Sequence, residues 1–144
     1  MLRTISLSRC AARIPTFAPK IGRFYSSEAI GKSSVQELTS MKQLNSFLSN
    51  GDKVSVIDFY AVWCGPCKML EPIFAALSEK IPEVQFGRVD VDNAQDIAQE
   101  YAITAMPTCI ILKGNEKLET IVGANPSKLV NSIAKHSGID FKSR

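Results

Sequence analysis

A chain of 144 residues, 45% of them hydrophobic, is long enough for one domain with its own core. Lys and Arg outnumber Asp and Glu by 17 to 14, yet five of those bases lie in residues 1–27, which hold no acid; the other 12 face all 14 acids, so the basic balance is no argument for a nucleic-acid partner. No window approaches the roughly 18 continuous apolar residues of a membrane helix, and a membrane protein is not expected.

The leading segment carries Arg3, Arg9, Arg13, Lys20 and Arg23, is broken by Pro15 and Pro19, and lacks the unbroken apolar stretch of a secretory signal. That composition is expected of a mitochondrial transit peptide, with a disordered basic tail as the plainer alternative. Composition carries this reading more than amphipathicity does, because at about 100° per residue Arg9 projects between Leu2 and Ile5. Arg23-Phe24-Tyr25-Ser26 resembles a matrix processing site, with cleavage expected after Tyr25 to leave 119 of the 144 residues. The expected organisation is a transit peptide over 1–25, a Ser- and Gly-containing linker over 26–33 and one domain over 34–144, located in the mitochondrial matrix.

Residues 35–38 read as a short edge strand, and Thr39 or Ser40 caps a helix to about residue 49 with Leu44, Phe47 and Leu48 inward. Asn50-Gly51-Asp52 ends that helix. Residues 54–61 are apolar on both alternating faces, as in a central strand covered on both sides. Asp58 lies inside this run. Burying a charged carboxylate is costly and pushes its pKa upward, so Asp58 is expected to have a partner or a purpose: a place behind Cys67, exchanging protons with it directly or through water, with a surface position where the strand twists out as the plainer alternative.

That strand runs into Trp63-Cys64-Gly65-Pro66-Cys67-Lys68, followed by a helix-type run over 69–81. Pro66 suits a first helical turn, having no N–H to lose and a φ already near helical. Cys64 then stands at the helix N-terminus, where unsatisfied N–H groups and the positive dipole end favour a thiolate. Cys67, one turn further in, is expected to be less exposed and placed to attack a mixed disulfide formed on Cys64. We read the pair as a redox disulfide. Zinc would need two more ligands, and the remaining Cys10, Cys109 and His136 offer no second paired cluster. Three cysteines would survive cleavage in a reducing compartment, which favours a reversible pair over a disulfide scaffold.

Leu70, Phe74, Leu77 and Ile81 keep one stripe across Pro72, so the helix should continue through that proline and stop at Pro82. Residues 84–91 form a second buried-type strand, parallel to the first through a βαβ crossover. Asp92 or Asn93 is expected to cap a third helix with Ala94, Ile97, Ala98 and Tyr101 inward. Residues 108–113 and 117–122, joined at Gly114-Asn115, read as a hairpin. Asn125-Pro126 opens a final helix bearing Leu129, Val130 and Ile133, closed by Gly138.

Asp58-Phe59, the Trp63–Lys68 motif, Pro72, Asp90-Val91-Asp92, Pro107-Thr108 and Val122-Gly123-Ala124, in this order and spacing, resemble the thioredoxin family over about residues 34–138. The resemblance implies an α/β thioredoxin fold, a mixed five-stranded sheet of order 1-3-2-4-5 flanked by four helices, and reduction of protein disulfides. By the same resemblance Cys64 is the attacking cysteine, Cys67 the resolving one, Asp58 the acid that assists proton transfer, and the Met106–Pro107 bond is cis. Trp63, Gly65, Pro66, Met106, Gly123 and Ala124, with Pro107, would line a shallow apolar groove in which an extended client pairs with the Met106 backbone. Arg88 stands where many members have Lys, so the resemblance implies a charge kept beside Asp58, but one that, always protonated, cannot be surrendered as a proton. Tyr60 replaces a common Trp without a predictable effect, and Cys109 reads as an inert buried residue.

No phosphate- or nicotinamide-type glycine loop is present, so no cofactor is expected and reduction would come from a separate NADPH-dependent thioredoxin reductase. Expected clients are disulfide-containing proteins such as peroxiredoxins, and the chain is expected to act as a monomer. Two competing functions are an oxidase or isomerase, disfavoured by Gly65-Pro66 between the cysteines, and a docking module with idle thiols, disfavoured by the intact cysteines and Asp58.

Overall fold

The apolar alternation around Asp58 builds the middle strand of a sheet that both helical layers cover. The computed structural model describes residues 34–143, so the expected transit peptide and linker lie outside the described residues. In chain order the elements are β1 (Val35–Glu37), α1 (Met41–Leu48), β2 (Val54–Tyr60), α2 (Gly65–Lys80), β3 (Gln85–Asp90), α3 (Gln95–Glu100), β4 (Thr108–Lys113), β5 (Glu116–Val122) and α4 (Pro126–Ser137), then a 3-10 turn at Phe141–Ser143. The sheet order is β1-β3-β2-β4-β5. β3 runs parallel to β1 and β2, whereas β4 is antiparallel to β2 and β5. Four helices and this strand order match the fold expected from the sequence.

Strand parity sorts the core. Val54 and Val56 pack with Leu70, Phe74 and Leu77 of α2 and Leu129 and Ile133 of α4, while Ile57 and Phe59 pack with Leu44 and Phe47 of α1 and Ile97 of α3. At Gly87, on the second face, a Cβ would come within 2.9 Å of Leu38 Cδ1 and 3.2 Å of Phe47 Cζ, so any larger residue there would have to displace the Leu38 and Phe47 side chains packed on the sheet.

The caps follow local chemistry with one exception. Ser40 Oγ accepts from Gln43 N at 3.3 Å, and the Gln43 side chain reaches back to accept from Thr39 N at 2.8 Å. Asn125 Oδ1 accepts from Lys128 N at 3.0 Å, and Gly138 closes α4 with φ of 72°. The third helix departs from expectation: neither Asp92 nor Asn93 caps it, and Ala94 holds the N-cap position without a side-chain bond. Asp90 has taken over the turn. Its Oδ1 accepts from Asp92 N at 3.0 Å, its Oδ2 from Asn93 Nδ2 at 2.7 Å, and its carbonyl from Ala94 N at 2.8 Å. An Asx-type turn thus satisfies donors that a helix cap would otherwise serve. The hairpin strand also starts one residue early, at Glu116, which pairs with Lys113.

His136, a leftover residue in the metal inventory, has a structural task. Glu119 Oε2 lies 2.9 Å from His136 Nε2 and its Oε1 accepts from Ser132 Oγ at 3.0 Å, tying α4 to β5 and holding the Glu119 carboxyl below its ordinary range.

Candidate active site

β2 ends at Tyr60, and five residues later the chain re-enters helical geometry at Gly65. Cys64 is the N-cap of α2: its backbone is extended, and its Sγ accepts from Cys67 N at 3.3 Å. Pro66 sits in the first turn, as its missing N–H permits, and the helix passes through Pro72 without ending. The two cysteines are joined as a disulfide with Cα atoms 5.3 Å apart. Cys64 is 5% exposed and Cys67 1%, so the first cysteine is the more open residue, though both are largely covered in the oxidised chain.

Met106 packs against the small cluster of Ala61, Cys64 and Cys67. The Met106–Pro107 bond is cis, as the resemblance implied. Gly123 N donates to Pro107 O at 2.8 Å, and Gly123 takes a φ of 90°, which brings the end of β5 beside the proline. Gly65, Pro66 and Ala124 are exposed and Met106 and Gly123 half-buried, while Pro107 itself is buried. Trp63 is 67% exposed and its indole Nε1 donates to Asp92 Oδ2 at 2.9 Å, fixing a large ring in an exposed pose. Val62, Met69 and Val122 are also exposed apolar side chains of the described chain. Val122 belongs to the Val122-Gly123-Ala124 motif, whereas Val62 and Met69, which flank the Trp63–Lys68 motif, were not singled out from the sequence.

Asp58 is fully buried. Burial pushes its carboxyl up to about 6, against an opposing pull from the Arg88 guanidinium. Arg88 Nε lies 3.4 Å from Asp58 Oδ2, close enough for charge pairing although neither atom has a hydrogen-bond partner. The other end of the guanidinium is anchored: Nη1 donates to Glu71 Oε1 at 2.7 Å, and Cζ sits 3.9 Å above the Tyr60 ring. Tyr60, which sequence reading left without a role, also donates through its hydroxyl to Glu37 Oε1 at 2.8 Å; burial and this bond raise its pKa. A cleft of about 240 Å³ is lined by Tyr60, Cys67, Lys68, Glu71 and Arg88, so the second sulfur and the guanidinium beside Asp58 share one opening.

A family model described as thioredoxin matches residues 34–135. The chain belongs to the thioredoxin family. It is 49% identical over 105 residues to thioredoxin of Malassezia sympodialis, spanning 72% of this chain and 99% of that one. The crystal structure of that thioredoxin superposes with a TM-score of 0.69 at 47% identity, covering 75% of this chain and 95% of the other. "Thioredoxin-3, mitochondrial" of Saccharomyces cerevisiae is 43% identical over 100 residues, 69% of this chain and 78% of that protein. A yeast structure on the thiol resolving mechanism in mitochondrial 1-Cys peroxiredoxin via glutathione/thioredoxin systems matches at 39% identity with a TM-score of 0.66, covering 71% of this chain and 95% of that one. As in that family, this thioredoxin-fold chain carries a redox-active Cys64–Cys67 pair.

The buried carboxylate makes a stability prediction. Asp58 has its folded pKa raised above the ordinary 3.8, so its favourable contribution is complete below 3.8 and is lost as pH rises through about 6. An upward displacement of this size corresponds to about 3 kcal/mol at 1.36 kcal/mol per pH unit. Relative to wild type, Asp58→Asn should therefore gain stability by about 2 kcal/mol between pH 4, where part of the contribution is already lost, and pH 8 in urea unfolding. Equal stability differences at the two pH values would show that the carboxylate is not held in this environment.

Proposed function

We propose that this chain is a mitochondrial protein-disulfide reductase that cycles the Cys64/Cys67 pair between dithiol and disulfide. The observation that carries the reading is Cys64 Sγ at the N-terminus of α2, accepting from Cys67 N, with Met106 packed alongside. The helix N-terminus stabilises a thiolate on Cys64 in the reduced protein. That thiolate attacks one sulfur of a client disulfide; a Cys64–client bond forms, the client S–S bond breaks, and one client sulfur leaves as thiolate.

Asp58 then accepts the Cys67 proton, directly or through water in the cleft that Cys67 shares with Arg88. The Cys67 thiolate attacks Cys64 Sγ, closing the intramolecular disulfide and releasing the second client thiolate, so two electrons pass from chain to client. An NADPH-dependent thioredoxin reductase returns both electrons. Trp63, Gly65, Pro66, Met106, Pro107, Gly123 and Ala124 form the client groove, with the Met106 backbone available to an extended peptide. Peroxiredoxins are the client class supported by the yeast relative. The acid-free, Arg-containing leader and the similarity to yeast Thioredoxin-3 support import into the matrix, with cleavage after Tyr25 and a domain over residues 34–144.

One experiment tests cycle and location together. Cys67→Ser, produced with its leader, should be recovered from isolated mitochondria beginning at Ser26 and carrying clients as covalent adducts that dithiothreitol releases. Protein that stays adduct-free when its reduced Cys64 meets client disulfides would overturn the order of attack, and recovery outside the organelle would overturn the location. A docking module with idle thiols would instead hold partners without any dithiothreitol-sensitive bond.

A further inference from the structure

Asp58 is flanked on both sides within the sheet. Its register partner on β3 is Arg88 and its register partner on β4 is Cys109. Directly opposed residues of neighbouring strands project from the same face, so the three side chains form a row across β3, β2 and β4. Arg88 faces Oδ2 at 3.4 Å, and Cys109 Sγ donates to Oδ1 at 3.7 Å, within the longer reach of a sulfur donor. Asp58 is 0% and Cys109 1% exposed, so solvent cannot replace that thiol donor. Burial, followed by the adjacent Asp58 charge, raises the Cys109 pKa, which keeps the sulfur protonated and able to donate.

We propose that Cys109 is a positioning residue for the resolving half-reaction: its S–H holds Oδ1 of Asp58 and leaves Oδ2 toward Arg88, the side that opens on the Cys67 cleft. The inference rests on Asp58 being the acceptor of the Cys67 proton. Cys109 exchanges no electrons and keeps its own proton; only the Cys67 proton moves, to Asp58. The charged and titratable groups around the carboxylate and the adjoining cleft are Arg88 on β3, Tyr60 on β2, Cys67, Lys68 and Glu71 on α2 and Cys109 on β4, while α4 sends the apolar Leu129 and Ile133 into the same core. Cys109 therefore sets how readily Asp58 gives up or takes a proton, since a donor to the ionised form favours that form.

The test is a carbon-13 NMR titration of the Asp58 carboxyl in oxidised wild type, Cys109→Ala, Cys109→Val and Cys109→Ser. Ala and Val, one smaller and one space-filling but neither a donor, should move the inflection up by about half to one pH unit, a threefold to tenfold rise in proton affinity. Ser, which keeps a donor, should titrate with wild type or below it. Ala and Val curves that coincide with wild type, or a Ser curve that follows Ala, would overturn the proposal. Single-turnover release of a client from the Cys64 mixed disulfide, followed against pH, should shift in parallel. Asp58→Asn separates the two levels: an unchanged release profile in that variant removes Asp58 as proton acceptor, whereas the NMR comparison still decides whether Cys109 holds it.

Discussion

Cys64→Ser is expected to lose disulfide reduction down to the uncatalysed background, a drop on the order of a thousandfold or more in insulin-disulfide turnover with NADPH and thioredoxin reductase. The physical reason is specific to the position. A hydroxyl at the N-cap of α2 would still accept from Cys67 N, and serine is among the best N-cap residues, so the helix should be kept or strengthened. What disappears is a nucleophile that the helix terminus can ionise near neutral pH, because a serine hydroxyl stays protonated there. Thermal stability matching that of reduced wild type, in which the Cys64–Cys67 disulfide is likewise open, together with lost turnover is therefore the expected pair of results. Residual turnover near wild type would move the attacking sulfur to Cys67 and reverse the assignment of the pair.

Phe74→Ala should cost about 3–5 kcal/mol of unfolding free energy, the range for truncating a buried aromatic side chain. Phe74 is fully buried in the middle of α2 and meets Phe86 of β3 edge-on, with ring centroids 5.2 Å apart and planes at 82°. It joins the helix that carries both cysteines to the sheet that carries Asp58, so its loss loosens the frame of the site as well as the core. Against a total stability of roughly 5–15 kcal/mol for a domain this size, the variant should sit close to the folding threshold. Urea titration measures it as a lowered midpoint with an unchanged slope. A loss under about 1.5 kcal/mol would mean that α2 collapses onto β3 and fills the space.

Much of this was legible from the chain alone because the signals were local and periodic. The stripe of Leu70, Phe74, Leu77 and Ile81 required a helix that outlasts Pro72, and α2 indeed runs from Gly65 to Lys80. The unbroken apolar run around Asp58 required a strand covered on both faces, and burial along β2 shows one. Where several side chains compete for the same backbone donors, local reading failed. Asp90, at the end of β3, reached forward to Asp92 and Asn93 and left the start of α3 to Ala94. Nothing in a capping preference says which of three neighbouring acids and amides will win, because the outcome depends on where the strand ends.

From its own order of residues the chain determined the strands and helices, the Cys64–Cys67 pair at a helix start and the burial of Asp58, since periodicity, proline placement and alternation act between near neighbours. The resemblance implied a charge at Arg88 beside that carboxylate, but tertiary structure alone placed Cys109 on its other oxygen. Arg88 and Cys109 lie far from Asp58 along the chain and reach its two oxygens only through the register of β3 and β4 against β2. A one-residue slip in either pairing would turn those side chains to the opposite face of the sheet, and register of that kind is set by the packing of the whole core.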